Sequence, residues 1–263
     1  QIEPTKLSAE EQKEGFRLLY DGTNMHGWIG NTRDYVSENG AIALYPGNGG
    51  GGNLYTKEEF GDFVLRFEFQ LTEGANNGIG IRTPLEGDAA YVGMEIQVLD
   101  NEAPIYSQLE KYQYHGSVYG VIAAKRGFLK PVGEWNTEEI WIKGDDIRVT
   151  LNGTVITEGN IAEASKNGTL DHRDHPGLQN KKGHIGFLGH GLVGRVKVHF
   201  AVNAGAVEPK RHVDTLDLVD VVAGDKALGQ QDLALIVFLE CGRDIVAPEL
   251  KRNHQVGREV ARE

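Results

Sequence analysis

The stretch DFVLRFEFQLT, residues 62–72, alternates apolar and polar side chains with the period of a β-strand. One face of this strand carries only large apolar side chains, and the other carries mostly charged and amide groups. The two sets are Phe63, Leu65, Phe67 and Phe69, and Val64, Arg66, Glu68 and Gln70. A strand of this kind is buried on one side, which predicts one layer of a stacked β-fold.

Further segments have the same alternation or the same strand-like composition. They are NNGIGIRT (76–83), YVGMEIQVLD (91–100), EEIWIKGDDIRVTLNGTVITEG (138–159) and GHIGFLGHG (183–191). Short turns separate most of these strands, and the pair Asn152-Gly153 is typical of a tight hairpin. Because helices do not alternate with the strands, the pattern favours an all-β antiparallel sandwich over an α/β fold.

Composition limits the function. The chain has 263 residues and a formal net charge of −11, which disfavours binding to nucleic acid or to an anionic membrane surface. Cys241 is the only cysteine, so no intrachain disulfide can form. No apolar run reaches the length of a membrane span. The oligomeric state is not set by any of these features.

The chain divides into three parts by sequence pattern. Residues 1–14 predict a short helix, with Ser8 as N-cap and Glu11 three residues later as in a capping box. Residues 15–200 form the strand-rich region. Residues 201–263 are an extension of uncertain structure that lacks the regularly spaced turn residues of that region. The chain begins with Gln1, which we interpret as a processed N-terminus of an exported, periplasmic or extracellular protein.

The segment YVGMEIQVLDN, residues 91–101, combines an apolar face with polar groups. Met94, Ile96 and Val98 are expected to face the core, while Glu95 and Gln97 face away and Asp100 closes the strand. Strand interiors are usually poor in such groups. The polar face is therefore either an ordinary solvated surface or a site.

Other polar and aromatic residues nearby strengthen the interpretation as a site. The candidates are Arg82, His115, Tyr119, Lys125 and His190. Planar polar groups pair with sugar hydroxyls and aromatic rings stack on sugar C–H faces, so carbohydrate is the expected ligand. The alternatives are that His115 only packs in the core and that Arg82 only forms a salt bridge to Glu95.

A second polar cluster lies in DHRDHPGLQNKKGHIGFLGHG, residues 171–191, which contains His172, His175, His184 and His190. Its spacing matches no transition-metal motif, so no catalytic metal is predicted. A Ca²⁺ site built from loop oxygens stays open as a divalent-metal alternative.

Several motifs, taken in order, resemble the 3-keto-disaccharide hydrolase family. They are LLYDGTNMHGW (18–28), NNGIGIRTP (76–84), YVGMEIQVLDN (91–101), YQYHGSVYG (112–120), WNTEEIWIKGDDIRVTLNGTVI (135–156), HPGL (175–178) and GHIGFLGHG (183–191). The resemblance covers roughly residues 15–191. It implies an antiparallel jelly-roll β-sandwich of the concanavalin A-like lectin/glucanase type, an exported location and cleavage of oxidised disaccharides or glycosides.

Cleavage of a 3-keto-glycoside by elimination and hydration needs a base, a group that stabilises the enolate and an acid. We expect Glu95 or His115 as the base, Arg82 or Lys125 beside the enolate, and Asp100 or His190 at the leaving group. Gln97 and Tyr119 are expected to bind substrate.

Two other functions are compatible with the same residues. The spacing of Glu95, Gln97 and Asp100 is similar to the catalytic strand of jelly-roll glucanases, which favours a retaining glycosidase that uses Glu95 and Asp100. However, Gln97 stands where those enzymes have a carboxylate, and Asp100 is shorter than their second Glu. A non-catalytic carbohydrate-binding module is the third candidate.

Overall fold

The structure is a computed structural model, and it describes residues 4–189 and 200–204. Within these residues, helices α1 to α3 span Ala9–Lys13, Ala89–Val92 and Ile161–Ser165. Strands β1 to β13 span Arg17–Tyr20, Trp28–Gly30, Tyr35–Glu38, Ala41–Leu44, Leu54–Phe60, Phe63–Gln70, Asn76–Thr83, Met94–Leu99, Trp135–Lys143, Asp146–Leu151, Thr154–Asn160, Gly183–Gly189 and Phe200–Asn203. Single turns of 3₁₀-helix occur at Pro104–Tyr106, Lys111–Gln113 and Pro176–Gln179.

The strands form two large sheets and a separate hairpin of β3 and β4. One sheet has six strands in the order β1-β13-β6-β9-β10-β11, and the other has five in the order β2-β5-β12-β7-β8. All pairings between these strands are antiparallel. Residues of both sheets share one hydrophobic core. The predicted all-β, antiparallel jelly-roll sandwich is confirmed.

Strand β6 supplies the centre of the six-stranded sheet, as its alternation predicts. Phe63, Leu65, Phe67 and Phe69 are all buried in the core. On the opposite face Val64 is also buried, because Phe16 covers it. Burial of a large apolar side chain contributes about 1.5–3 kcal/mol, so this strand is a major part of the stability of the sandwich.

Two tight turns fix the register of the β9-β10-β11 meander. Asn152 and Gly153 both have positive φ, 49° and 85°, as a type I′ hairpin turn requires. The turn between β9 and β10 includes Gly144, whose φ is 59°. The turn at Asn152-Gly153 was predicted from the sequence.

The N-terminal helix has the predicted capping box. The Glu11 amide donates to Ser8 Oγ at 3.1 Å, and the Ser8 amide donates to Glu11 Oε2 at 2.8 Å. Just after the helix, Glu14 forms an ion pair with Arg66 of β6 at 2.9 Å. This segment therefore contacts the outer face of the six-stranded sheet.

The boundary predicted at residue 200 cuts through a strand. Phe200–Asn203 form β13, which pairs with both β1 and β6 inside the six-stranded sheet. The sandwich thus includes residues beyond 200, and the rest of the predicted extension, from 205 to 263, lies outside the described residues. Among the described residues, no helix has the length and apolar character needed to cross a membrane.

Arg82 was predicted to share a face with Glu95 and to bind substrate, and the structure contradicts this. β7 and β12 pair with a register shift, and Arg82 at this irregularity has a φ of 49°, which breaks the alternation. Its side chain is 1% exposed. It donates to the Gly61 and Gly144 carbonyls at 3.0 and 2.8 Å and pairs with Asp62 at 3.0 Å. Arg82 therefore joins the end of β7 to the β5–β6 connection between the two sheets and to the β9–β10 turn of the six-stranded sheet.

We predict that Arg82→Met lowers the free energy of unfolding by about 2–4 kcal/mol, because it leaves the Gly61 and Gly144 carbonyls and Asp62 without the donor that now joins them. Arg148→Met is the matched control, since Arg148 pairs with the largely exposed Glu158 and its loss is expected to cost about 1 kcal/mol or less. Urea unfolding of both variants measures this. Equal losses would contradict the structural role of Arg82.

Candidate functional site

A polar cleft of about 260 Å³ lies on the outer face of the five-stranded sheet, over β7 and β8. Its volume is near the lower end of the range for ligand pockets, so it suits a small ligand such as one sugar ring. Its polar side chains, tyrosines apart, are Asn76, Asp88, Glu95, Gln97, Gln113 and Arg173. The cleft thus has hydrogen-bond donors and acceptors of both charge signs.

Glu95 and Gln97 form the floor of the cleft because of the alternation in β8. Met94, Ile96 and Val98 are buried in the core, as predicted, and the two polar side chains face the opposite way. The register of β7 and β8 is continuous from Asn76 to Ile81, and it sets glycines opposite both polar residues.

Glycine at position 78 makes room for the carboxylate of Glu95. A Cβ at residue 78 would lie 1.9 Å from Glu95 Oε1, so the side chain of Glu95 extends across the backbone of β7. Glu95 is only 2% exposed in spite of lining the cleft. The carboxylate is therefore held close to the sheet and is partly withdrawn from water.

A segment after β8 adds a further wall. The Gln97 amide donates to Ser117 O at 3.0 Å, and the Tyr119 amide donates to Glu95 O at 2.9 Å. This pairing brings Tyr119 beside the cleft. Its hydroxyl accepts a hydrogen bond from Gln113 Nε2 at 3.1 Å.

Helix α2 supplies an aromatic wall that sequence analysis assigned to a strand. The Ala90 amide donates to the Asp88 side chain at 3.2 Å, so Asp88 caps a short helix that includes Tyr91. β8 therefore begins only at Met94. The guanidinium of Arg173 lies 3.9 Å from the centre of the Tyr91 ring and also donates to its hydroxyl.

Behind this wall lies an Asp–His pair. His175 Nε2 is 3.0 Å from Asp171 Oδ2, and the His175 ring packs 4.7 Å from that of Tyr91. Burial by itself raises the pKa of Asp171, but hydrogen bonds from His175, Thr169 and the Arg173 amide outweigh it and lower the pKa below its ordinary value. The pair thus fixes the loop that carries Arg173.

Asp100 does not join Glu95 in the cleft. The glucanase spacing needs a bulge to place the third residue on the same face, but β8 pairs with β7 without any shift and ends at Leu99. The Asp100 carboxylate instead accepts from the Gly74 amide at 2.9 Å and from the Glu102 amide at 3.3 Å. It stabilises a turn and does not share the cleft with Glu95, contrary to the expected pairing of these two carboxylates.

His115 is also outside the cleft. Its ring is 1% exposed, with Nε2 2.8 Å from the fully buried Oε2 of Glu138, and it packs 5.1 Å from the ring of Phe69. Glu138 lies on an inward-facing position of β9. His115 therefore belongs to a polar pair inside the sandwich, as the alternative of a core histidine supposed, and cannot contact a ligand in the cleft.

The remaining predicted residues have different outcomes. Gln97 and Tyr119 line the cleft as expected, whereas Arg82 does not. Lys125 is exposed, and its amide pairs with Ile156 O beside β11 in the other sheet. His190 lies outside the described residues. In the part of the chain that the structure describes, no group of three His, Cys, Asp or Glu side chains is arranged to hold a metal ion.

Sequence analysis missed Asn76, Tyr91 and Arg173. Asn76 begins the predicted strand NNGIGIRT, and Arg173 stands between the histidines of the second polar cluster. The histidines beside Arg173 suggested a metal site, so the arginine was not considered as a ligand-binding group. A cation that can approach the carboxylate of Glu95 is itself an indication of a functional site.

Comparison with known proteins gives the family. The model of the 3-keto-alpha-glucoside-1,2-lyase-like domain matches residues 15–201. The chain belongs to this family. The match covers all of the cleft, and the resemblance inferred from the sequence motifs is confirmed.

A curated relative, the 3-keto-disaccharide hydrolase of Bacteroides thetaiotaomicron, is 29% identical over 164 residues, which are 53% of this chain and 57% of the relative. The chain thus matches little more than half the length of that protein.

Two crystal structures of candidate glycosyl hydrolases from Parabacteroides distasonis have the same fold as the present chain. One has a TM-score of 0.66 at 21% identity and covers 77% of this chain and 99% of its own. The other has a TM-score of 0.63 at 23% identity, with coverage of 72% and 99%.

The Asp171–His175 pair predicts a pH-dependent stability. Because the folded-state pKa of Asp171 is lowered, its interactions stabilise the protein above the unfolded-state pKa of about 3.9 and are lost as the pH falls through the folded-state pKa. Asp171→Asn should therefore be less stable than wild type at pH 7, and the difference should shrink below about pH 4.

Urea unfolding from pH 7 to pH 3 measures this difference. The exposed neighbour Asp174, changed to Asn, is the control and should have little effect at any pH. A loss in Asp171→Asn that is the same at pH 7 and pH 3 would argue against the assigned pair.

Proposed function

We propose that this protein cleaves the glycosidic bond of 3-keto-glycosides or 3-keto-disaccharides by elimination followed by hydration. The observation that carries the proposal is the Glu95 carboxylate on the cleft floor, with a phenol hydroxyl and a guanidinium among the surrounding side chains. Membership of the family and the name of the curated relative support the substrate class.

The reaction begins with removal of the proton at C2. The ketone at C3 makes that proton acidic, and Glu95 is the carboxylate that lies deepest in the cleft floor, where it acts as general base. The electron pair moves onto the C3 oxygen as an enolate. Collapse of the enolate expels the C1 oxygen and forms an enone.

Arg173 is the cation of the cleft and is assigned to the developing enolate. Its guanidinium is held by stacking and a hydrogen bond to Tyr91, so it is oriented before substrate arrives. This role replaces the one expected of Arg82 or Lys125, neither of which lines the cleft.

Tyr119 is assigned to the leaving oxygen. The backbone amide of Glu110 donates to Gln113 Oε1 at 3.0 Å, and Gln113 Nε2 then donates to the Tyr119 hydroxyl oxygen. Since that oxygen already accepts, its own proton is directed to the ligand. Water then adds its oxygen to C1 of the enone and gives a proton to the Tyr119 oxygen, and Glu95 gives a proton to C2, so that both side chains return to their starting states.

A retaining glycosidase that uses Glu95 and Asp100 is disfavoured by the same geometry. Retaining chemistry needs two carboxyl groups about 5 Å apart on either side of one bond. Asp100 is occupied with the Gly74 and Glu102 amides and does not line the cleft. The elimination route needs only one carboxylate base, which the cleft has in Glu95.

The proposal is tested by incubating the protein with 3-keto-trehalose, 3-keto-lactose and their unoxidised parents, with and without a chelator. Release of free sugar from the oxidised substrates alone is the expected result. Cleavage of the parents would favour a classical glycosidase. Binding without turnover of any substrate would mean a carbohydrate-binding module, and inhibition by the chelator would reveal a divalent metal such as Ca²⁺.

Glu95→Gln should lower kcat on 3-keto-trehalose by at least ~10²-fold, because the amide cannot take the C2 proton. Asp100→Asn is the control that separates the two enzyme mechanisms, and it should keep kcat within about threefold where the variant is folded. Near-normal activity of Glu95→Gln, or an equal loss in both variants, would refute the assignment of the base.

The proposal includes export from the cytoplasm, as the family resemblance of the sequence implies. Cell fractionation with detection of the chain tests this. Recovery in the cytoplasmic fraction would refute it.

A further inference from the structure

Gln97 lines the cleft and has a buried acceptor atom without a hydrogen-bond partner among the described residues. The residue is 4% exposed, and its Oε1 is inaccessible to solvent and has no hydrogen bond within the part of the chain that the structure describes. Its Nε2, by contrast, donates to Asn76 Oδ1 at 2.9 Å. A buried acceptor without a hydrogen bond costs about 1–3 kcal/mol of free energy. A ligand that donates a hydrogen bond to Gln97 Oε1 would remove this cost.

The orientation of the Gln97 amide is fixed by a chain of hydrogen bonds that begins at a backbone carbonyl. The Tyr106 hydroxyl donates to Gly74 O at 3.0 Å. A carbonyl oxygen can only accept, so the single proton of Tyr106 is committed to it.

The next link is Asn76. With its proton committed, the Tyr106 oxygen can only accept. The Asn76 oxygen already accepts from Gln97 Nε2 at 2.9 Å, so Nδ2 is the Asn76 group that is left for Tyr106. Burial raises the pKa of Tyr106, and this hydrogen bond partly offsets the rise, as expected for a donor to the phenol oxygen. Asn76 must therefore point Nδ2 at Tyr106 and Oδ1 at Gln97.

The chain ends at Gln97. Because Asn76 offers an oxygen, Gln97 must present Nε2 to it, and Oε1 is left without a donor among the described residues. Rotation of the Gln97 amide would place two oxygens together and lose a hydrogen bond. A carboxylate at this position could not donate to Asn76 at all, which gives a physical reason for Gln where jelly-roll glucanases have Asp.

We propose that Gln97 is a specificity-determining residue whose Oε1 accepts a hydrogen bond from one hydroxyl group of a sugar in the cleft. The sugar ligand rests on the proposed function, whereas the polarity of Gln97 rests on the hydrogen-bond chain alone. The cleft rejects analogues that carry hydrogen, a carbonyl or an ether at that carbon, because each leaves the buried acceptor unpaired. Tyr106 and Asn76 are positioning residues that hold this polarity.

The test is a binding panel without a leaving group, so that turnover cannot interfere. The probes are 1,5-anhydro-D-glucitol 3-ketone and its 2-deoxy, 4-deoxy and 6-deoxy derivatives, with the unoxidised 1,5-anhydro-D-glucitol as a comparison at C3. Titration followed by calorimetry or NMR gives each Kd. The wild type should lose about 10- to 100-fold in affinity for one member of the panel, at a single carbon.

Three variants locate the origin of that preference. Gln97→Met removes the acceptor at similar length, and the ratio of Kd values at that carbon should fall to about 1. Tyr106→Phe removes the link to Gly74 O, so the Asn76 and Gln97 amides can rotate together, and the ratio should fall below about threefold. Tyr114→Phe is the matched control, since Tyr114 donates only to the Tyr106 backbone carbonyl, at 3.3 Å, and should keep the wild-type ratio.

The outcomes separate this proposal from the proposed function. A different result is that the wild type binds the C3 hydroxyl compound more tightly than the C3 ketone, with the preference lost in Gln97→Met. That result would support Gln97 as the specificity-determining residue and contradict the 3-keto substrate of the proposed function. The proposal is overturned if the wild type shows no preference at any single carbon, if no member of the panel binds, or if Gln97→Met keeps the preference. Unchanged discrimination in a folded Tyr106→Phe would overturn the role of Tyr106.

Discussion

The continuous pairing of β7 with β8 is the constraint on which the site depends. It places Gly80 opposite Glu95 and Gly78 opposite Gln97, so that the two polar side chains meet no side chain across from them on β7. The carboxylate of Glu95 occupies the space that a Cβ at Gly78 would fill. A bulge between these strands would reverse the faces beyond it and would bring Asp100 to the cleft and Leu99 to the core.

Two hydrogen-bond chains of opposite polarity give the cleft its chemical asymmetry. One starts at the carbonyl of Gly74 and ends in an acceptor, Gln97 Oε1. The other starts at the amide of Glu110 and ends in a donor, the Tyr119 hydroxyl. Under the roles proposed for Gln97 and Tyr119, a ligand with a hydroxyl and an acceptor oxygen at the right separation is expected to bind in one orientation. Dipoles that are already oriented need no reorganisation during a reaction. This property distinguishes a catalytic polar site from one that only binds its ligand.

The sequence predicted what depends on local pattern. The alternation in β6, the turn at Asn152-Gly153 and the Ser8 cap each follow from short-range sterics and hydrogen bonding, and each is present in the structure. The same alternation placed Glu95 and Gln97 on the outer face of β8. These features need no knowledge of which strands are neighbours.

The features that could not be predicted from the sequence depend on strand register and on contacts between distant segments. The positive φ of Arg82 directs its guanidinium to carbonyls 21 and 62 residues away. His115 finds Glu138 on an inward position of β9, where a carboxylate was not expected. Arg173 reaches the cleft because the short helix α2 places Tyr91 beneath it. Each of these is a tertiary contact with no signal in the local period.

The most direct measurement is the fate of the C2 hydrogen when 3-keto-trehalose is cleaved in D₂O. Elimination transfers the C2 hydrogen to Glu95, and entry of the water that adds to C1 lets that carboxyl exchange with solvent. Rehydration then places a solvent deuteron at C2 of the sugar that held the broken bond, which NMR of the freshly released product detects. Spontaneous exchange is corrected by incubating the product with the Glu95→Gln variant. The account predicts deuterium at C2 in the wild-type product. Release of sugar that keeps its original C2 hydrogen would contradict it.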